Sequence, residues 1–235
     1  MVSERKDAKK RWCPILATKE YNSMLLGESR VTSPQDLLGK SVHVNLMALT
    51  NDPRKQSFNV RFLVKSVDGD TGVADLIEYQ MGRAYVRRVV RKGTSRVDDS
   101  FVVRTKDNVH CLVKPLFVTK HHVNNKIATS LRKKVRELLA RRVAQTTSSE
   151  LFTSVIHNQL QMDLKRELKR IYPLTTSEIR VLEILPENRL AKLSPVMIVH
   201  PTAAPVSEET EETLTQEKSQ EEDRLEHKPV QRKRK

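Results

Sequence analysis

The hydrophobic period of the chain changes near residue 120, and this change constrains the fold more than any other feature. Before it, apolar and polar residues alternate, most clearly at the apolar even positions of 58–64, as they do in half-buried strands. After it, apolar residues recur three and four positions apart, as on one face of an α-helix. Strands followed by helices predict an α+β fold, a mainly antiparallel, β-barrel-like sheet with flanking helices.

Turn residues divide the strand-rich part into two hairpins and several single strands. Residues 68–72 hold two aspartates and two glycines, which are typical of a turn, so 57–79 is predicted to be one hairpin. A second hairpin pairs 100–105 with 109–119. Pro14 makes the opening strand an edge strand or an irregular one. The remaining strands are predicted at 12–18, 41–50 and 178–185.

Three segments carry the helical period. The spacing of apolar residues predicts a short helix over about 80–92 and a longer one over 125–145. The polar residues 146–149 then interrupt the pattern and offer N-caps for the next helix. Residues 151–171 are either one broken helix or two short ones, ending before Pro173.

The charge is distributed unevenly along the chain. The whole sequence has a formal net charge of +14. The stretch 206–235 holds seven bases and nine acids, which leaves +16 on residues 1–205. That stretch has almost no large apolar residue to offset the entropy of ordering, so we expect it to be disordered. The predicted organisation is a basic flexible arm (1–11), one domain (12–190; strand-rich 12–119, helix-rich 120–172, final strand 178–185), and a linker with an acidic-then-basic tail (191–235).

Composition excludes several classes of protein. No apolar run is long enough to span a membrane, and the basic N-terminus lacks the apolar core of a secretory signal. Two cysteines cannot form a disulfide framework, so we expect a cytoplasmic protein with no membrane partner. The excess of positive charge makes a polyanion the leading partner.

Two basic clusters are the main functional signal. In the first, three arginines spaced four residues apart share one helix face, and no acid occurs from Gln80 to Val97. Such a helix is mildly destabilised unless phosphates supply the counter-charge. The second runs from a strand end through a polar loop into a helix, where backbone N–H groups and cations converge. The predicted RNA-binding residues are Arg83, Arg87, Arg88, Arg91, Lys92 and Arg96 in the first cluster, and Lys114, Lys120, His121, His122, Lys126, Arg132 and Lys133 in the second.

Other interpretations have less support. The bases of 165–170 are balanced by Asp163 and Glu167, which favours a solvated surface. No CxxC or HxxxH spacing exists, so we expect neither a metal nor another cofactor. Asp98 and Asp99 diverge if they lie on a strand, and no motif of a hydrolase or of a nucleotide-binding loop is present. Aromatic residues make up 4 % of the chain, too few for an extended base-stacking platform.

Four stretches together resemble one protein family. They are Arg11-Trp12, the segment 39–52 (GKSVHVNLMALTND), the segment 85–98 (YVRRVVRKGTSRVD) and Ile171-Tyr172-Pro173-Leu174. In this order and spacing they resemble the archaeal and eukaryotic small-subunit ribosomal proteins of the three-A-e type, also called the S-one-e family, and most closely the archaeal members. Met81-Gly82-Arg83-Ala84 departs from the family pattern, which has an acid in this helix start.

The resemblance implies a structural, non-enzymatic ribosomal protein. It implies a barrel-like core on the platform of the small subunit, near the mRNA exit and the 3′ end of the rRNA. The implied partners are small-subunit rRNA, neighbouring ribosomal proteins and mRNA at the exit. Two alternatives come from the residues alone: a free-standing RNA-binding or ribosome-assembly factor that associates transiently, and an enzyme acting on a polyanion, such as a nuclease, for which no catalytic constellation is found.

Overall fold

The structure is a computed structural model that describes residues 10–190 and 198–199. Within these ranges the protein is α+β, with ten strands, six α-helices and three short 3-10 helices. The strands are β1 (Arg11–Ala17), β2 (Leu25–Val31), β3 (Ser41–Asn45), β4 (Phe58–Asp68), β5 (Thr71–Met81), β6 (Arg96–Asp98), β7 (Phe101–Arg104), β8 (His110–Thr119), β9 (Leu174–Ile184) and β10 (Ile198–Val199). The helices are α1 (Leu46–Thr50), α2 (Arg83–Val89), α3 (Asn125–Gln145), α4 (Ser148–Ile156), α5 (Gln159–Leu168) and α6 (Glu187–Leu190).

All ten strands belong to one mixed sheet that is mostly antiparallel. The order β10-β7-β8-β9-β5-β1-β2 forms its main path, with β4 and then β3 on the other edge of β5 and with β6 beside β8. Only β1–β5 and β10–β7 are parallel. The barrel-like prediction needs correction, because no ladder joins β2 to β3 in the described part and the sheet stays open. The side chain of Lys40, the residue before β3, reaches β2 instead: Lys40 Nζ donates to Ser29 Oγ at 2.9 Å.

The two predicted hairpins are present. Strands β4 and β5 pair from Phe58↔Met81 to Asp68↔Thr71, and Gly69 takes the positive φ of 61° in the turn between them. Strands β7 and β8 form the second hairpin, from Phe101↔Val113 to Arg104↔His110. The alternation is visible in burial, since the even positions 58–64 of β4 all lie in the core.

Other strand boundaries differ from the prediction. The strand predicted over 41–50 ends at Asn45, because the Asn45 side chain accepts from the Met47 N–H at 2.9 Å and so caps helix α1. Strands β2 and β6 were not predicted, and β9 begins at Leu174 rather than at 178. The opening strand is irregular as predicted: its register shifts after Ile15, and Pro14 lies where β1 has only β2 as partner.

The helices pack on the sheet through the predicted apolar positions. Helix α3 buries Leu131, Val135, Leu139 and Val143. Thr147 then caps α4 through a reciprocal bond pair with Glu150, a capping box. The segment after this cap is two helices, α4 and α5, and not one broken helix. Helix α3 packs against β7, and α5 packs against β9.

The predicted arm and tail fall largely outside the described residues. Of the predicted arm, Arg11 belongs to β1. Of the predicted linker, Ile198–Val199 pair in parallel with Val102–Val103. No helix within the described ranges is both long and apolar enough to cross a bilayer. Cys13 and Cys111 are buried and free, and burial raises the pKa of the Cys111 thiol to about 12.

Candidate nucleic-acid interface

Helix α2 stands at the open end of the β4–β5 hairpin. Its N-cap is Gly82, whose N–H donates to the carbonyl oxygen of Ser57 at 2.8 Å. A Cβ at Gly82 would lie 3.0 Å from that same oxygen, so the close approach of α2 to β4 favours glycine here. Tyr85 packs against Phe58, with 5.5 Å between ring centroids. The helix buries no residue fully, and its arginines are therefore left on the solvent side.

The arginines of α2 and of the loop after it are exposed. Arg83 and Arg87 lie on the helix, and Arg91 and Lys92 follow it. None of these four makes an ion pair with a described residue. Arg88 is held more firmly: its Nη2 donates to Ser57 Oγ at 3.3 Å, and its guanidinium lies 5.0 Å from the Tyr85 ring centroid. The missing counter-charges leave this face with an excess of positive charge, which attracts anions.

Arg96 differs from the other members of its cluster. It forms an ion pair with Asp98, two residues further along β6. Alternate residues of a strand lie on the same face, so an acid just outside the acid-free stretch can still reach the cluster. The positive charge of Arg96 is thus partly neutralised.

Hydrogen bonds around Ser95 join the two basic clusters. The Ser95 N–H donates to Thr119 Oγ1 at 3.0 Å, and the Thr119 N–H donates to the Ser95 carbonyl at 3.0 Å. The Val123 N–H donates to Ser95 Oγ at 3.1 Å. The Thr119 hydroxyl also lies 2.6 Å from the carbonyl oxygen of His121. The loop that ends the first cluster is therefore fixed against the loop that begins the second.

The second cluster surrounds the start of α3. Asn124, the N-cap of α3, makes no side-chain cap, and no acid occupies the first turn. The first N–H groups of such a helix lack intrahelical acceptors, and its positive dipole end favours an anion. The exposed cationic and imidazole side chains around this start are Lys120, His121, His122, Lys126 and Lys133. We call these residues, together with Arg132 and the first cluster, the basic interface.

Helix α3 is anchored to the link between β6 and β7. Arg132 Nε donates to the Asp98 carbonyl at 3.2 Å, so Arg132 is partly engaged within the protein. Arg136 binds both carboxylate oxygens of Asp99, at 2.6 and 2.9 Å. Burial alone would raise the pKa of Asp99, but the bonds from Arg136 and the Ser100 N–H, together with the charges of Arg136 and Arg132, hold that pKa below its ordinary value. Asp98 and Asp99 thus serve as structural partners of arginines.

Lys114 does not belong with the rest of its predicted cluster. It lies half-buried in the middle of β8, opposite Val181. Six residues separate it from Lys120, about 20 Å along an extended strand. The prediction grouped it by sequence proximity alone.

Sequence reasoning missed Ser57 as a contact of α2. Its carbonyl oxygen accepts from the Gly82 N–H, and its hydroxyl accepts from Arg88. The distance along the chain between Ser57 and α2 hides this contact, and no signal in the sequence indicated it. In contrast, Arg166 and Arg170 on and after α5 each lie 3.9 Å from an acid, which agrees with the solvated surface predicted there.

The described part of the chain shows no group of three or more His, Cys, Asp or Glu residues arranged to hold a metal ion. Four of its surface grooves are open and are lined by charged residues of both signs. One, of about 420 Å³, lies between α3 and α5, where Arg142 pairs with Asp163 at 3.1 Å. The extended surface formed by the basic interface is therefore the leading functional site.

Comparison with known proteins identifies the family. The model of the Ribosomal S3Ae family matches residues 3–188. The chain belongs to the Ribosomal S3Ae family. It is 31 % identical over 196 residues to the small ribosomal subunit protein eS1 of Methanothrix thermoacetophila, covering 83 % of this chain and 90 % of that protein. It is similar to the eS1 protein of Methanobrevibacter smithii (31 % over 170 residues, 72 % and 88 % covered) and of Nanoarchaeum equitans (26 % over 181 residues, 77 % and 91 % covered).

The S3Ae family is one of structural ribosomal proteins, not of enzymes. Two of the segments that resemble the family meet at the basic interface. The segment 85–98 contains most of α2, the basic loop and β6. Ile171–Leu174 turns from α5 into β9, and its Pro173 carbonyl accepts from the Lys120 N–H at 3.2 Å.

Proposed function

We propose that this protein is a structural constituent of the small ribosomal subunit and that it binds small-subunit rRNA through the basic interface. Membership of the S3Ae family supports the first part, as do relatives named small ribosomal subunit protein eS1. The observation that carries the second part is the set of hydrogen bonds from Ser95 to Thr119 and Val123. They hold two separate groups of cations in one surface.

Binding occurs mainly through phosphates. Exposed arginines and lysines neutralise phosphate charge and release counterions, which supplies affinity without reading base sequence. Arg83, Arg87 and Arg91 supply such cations on one side, and the start of α3 with Lys120 and Lys126 supplies them on the other. The interface fixes the register of the protein on folded rRNA.

We propose that the protein lies on the platform, near the mRNA exit, as the resemblance to the family implies. We propose that its partners there are neighbouring small-subunit proteins and mRNA at the exit, and that it is cytoplasmic as part of the ribosome. A structural constituent remains bound in every subunit. A free-standing RNA-binding or assembly factor leaves once its step is complete.

Sedimentation of ribosomal subunits after a high-salt wash tests the proposal. Small subunits from cells that express the tagged full-length protein are pelleted through a high-salt cushion, and its amount is compared with that of a core small-subunit protein. We expect one copy per subunit to be retained. A sub-stoichiometric amount that the wash removes would contradict a structural role and support the transient factor.

A further inference from the structure

The only tryptophan of the chain lies outside the core. Trp12 is on β1, where Cys13, Ile15 and Ala17 are buried. Because side chains alternate along a strand, the indole of Trp12 lies on the opposite face of the sheet, and its exposure is 66 %. An exposed indole is the side chain best suited to stack on another flat ring.

Cations surround this indole without covering it. Arg30 on β2 is the direct cross-strand partner of Trp12, and residues so paired have Cβ atoms about 5 Å apart. Arg30 is exposed and makes no ion pair with the residues that the structure describes, and neither Arg30 nor Lys10 is stacked on the ring. A free aromatic face beside an unneutralised guanidinium matches the two parts of a nucleotide, base and phosphate.

The same face of the sheet does not suit a protein partner. The next apolar pair on it is Leu16 with Leu25, and the pair between them is Pro14 with Glu28. Leu16 lies four positions beyond Trp12, about 13 Å along the strand. Besides Trp12, the exposed large apolar residue of these pairs is Leu25, at 53 %, whereas a stable protein interface buries about 800 Å² on each partner.

We infer that Trp12 stacks on an unpaired base of RNA and that Arg30 contacts the adjoining phosphate. This contact is separate from the basic interface. Arg11 lies 3.3 Å from Asp70, which places Trp12 beside the turn of the β4–β5 hairpin, while α2 follows the other end of β5. The eleven residues of β5 separate the two ends by about 33 Å. The inference rests on the proposed function, since RNA is the partner in both.

Intrinsic fluorescence of the full-length protein tests this contact directly, because Trp12 is its only tryptophan. Titration with small-subunit rRNA is expected to quench the emission as the complex forms, since a stacked base quenches indole. Trp12→Ala is expected to weaken binding by about tenfold and to leave the slope of log K against log salt unchanged, because stacking releases no counterions. Trp12→Phe, which keeps a ring, is expected to retain most of the affinity.

A matched control is Met162→Ala on α5, since Met162 is exposed to a similar degree, 63 %. Both side chains are mostly exposed and are covered to a similar degree, so both variants are expected to melt within a few degrees of the wild-type temperature. The inference is overturned if rRNA binds with its full salt dependence while emission stays constant and Trp12→Ala binds like the wild type. In that case the proposed function stands. If the wild-type protein does not bind rRNA at all, the proposed function and this inference both fail.

Discussion

Glu178 on β9 has a carboxyl group whose pKa lies close to neutral pH. Burial raises its pKa to about 7, and Lys165 offsets only part of that effect. The Oε2 atom of Glu178 is buried and lacks a hydrogen-bond partner within the described residues. A negative charge at this position is therefore costly, and protonation relieves the cost.

Glu178→Gln is expected to make the stability of the protein less dependent on pH. The pKa of Glu178 is about 7 in the folded protein and 4.5 ordinarily, so the folded state holds this proton more tightly. Its contribution to stability is complete below pH 4.5 and is lost as the pH rises through 7, by about 1–3 kcal/mol. Urea unfolding at pH 5 and pH 8 measures this loss. A variant whose free energy of unfolding changes with pH as much as that of the wild type would contradict it.

At the scale of elements, Thr119 at the end of β8 joins the two loops of the basic interface. It is fully buried, and its hydroxyl accepts from the Ser95 N–H. Thr119→Val keeps the shape of the side chain but leaves that N–H without its side-chain acceptor, at an expected cost of about 1–3 kcal/mol in the free energy of unfolding.

Denaturant unfolding of Thr119→Val measures this cost, with Thr175→Val as the control. The Thr175 hydroxyl belongs to an exposed residue and makes one long bond of 3.4 Å to the Thr119 carbonyl. The control is expected to lose less than about 0.5 kcal/mol, as exposed positions usually do. Equal losses in the two variants would show that the Thr119 hydroxyl does not hold the loops together.

Local patterns predicted the elements whose signals are local. The alternation in β4 and the turn at Gly69 identified the first hairpin, and the apolar spacing identified α3 to the residue at both ends. The pattern failed at 46–50, where apolar even positions continue after the Asn45 cap has begun a helix. Strand β6 has three residues and takes its place only by pairing with β8, so no periodicity could indicate it.

The candidate site also has one part that local sequence indicated and another part that depends on tertiary contacts. Runs of basic residues indicated both clusters, because charge along α2 and into α3 is a property of neighbouring positions. The bond from Ser95 to Thr119 joins positions 24 residues apart, and the bond from Arg88 to Ser57 joins positions 31 residues apart. Such tertiary proximity has no local signature, and for the same reason the sequence could not indicate that Lys114 lies within β8, apart from the rest of its cluster.

At the scale of the whole molecule, the open sheet separates two kinds of surface. Helix α2 and the start of α3 present cations, while the turn end of the β4–β5 hairpin presents one indole. The proposed function depends above all on phosphate binding, whose affinity falls with salt in proportion to the number of phosphates contacted. The interface triple Arg83→Gln, Arg87→Gln, Arg91→Gln removes three exposed cations that have no ion pairs with described residues.

The decisive experiment compares the salt dependence of rRNA binding for this triple with that of a control triple. The control changes Lys19, Arg104 and Lys106 to glutamine, three exposed residues away from the basic interface, and so alters net charge equally. For duplex rRNA, the interface triple is expected to make the negative slope of log K against log salt shallower by about 2.7, or about 0.9 per contact. The control slope is expected to stay at the wild-type value. Equal slopes for the two triples, or a change in base preference without a change in slope, would contradict phosphate-directed binding by the basic interface.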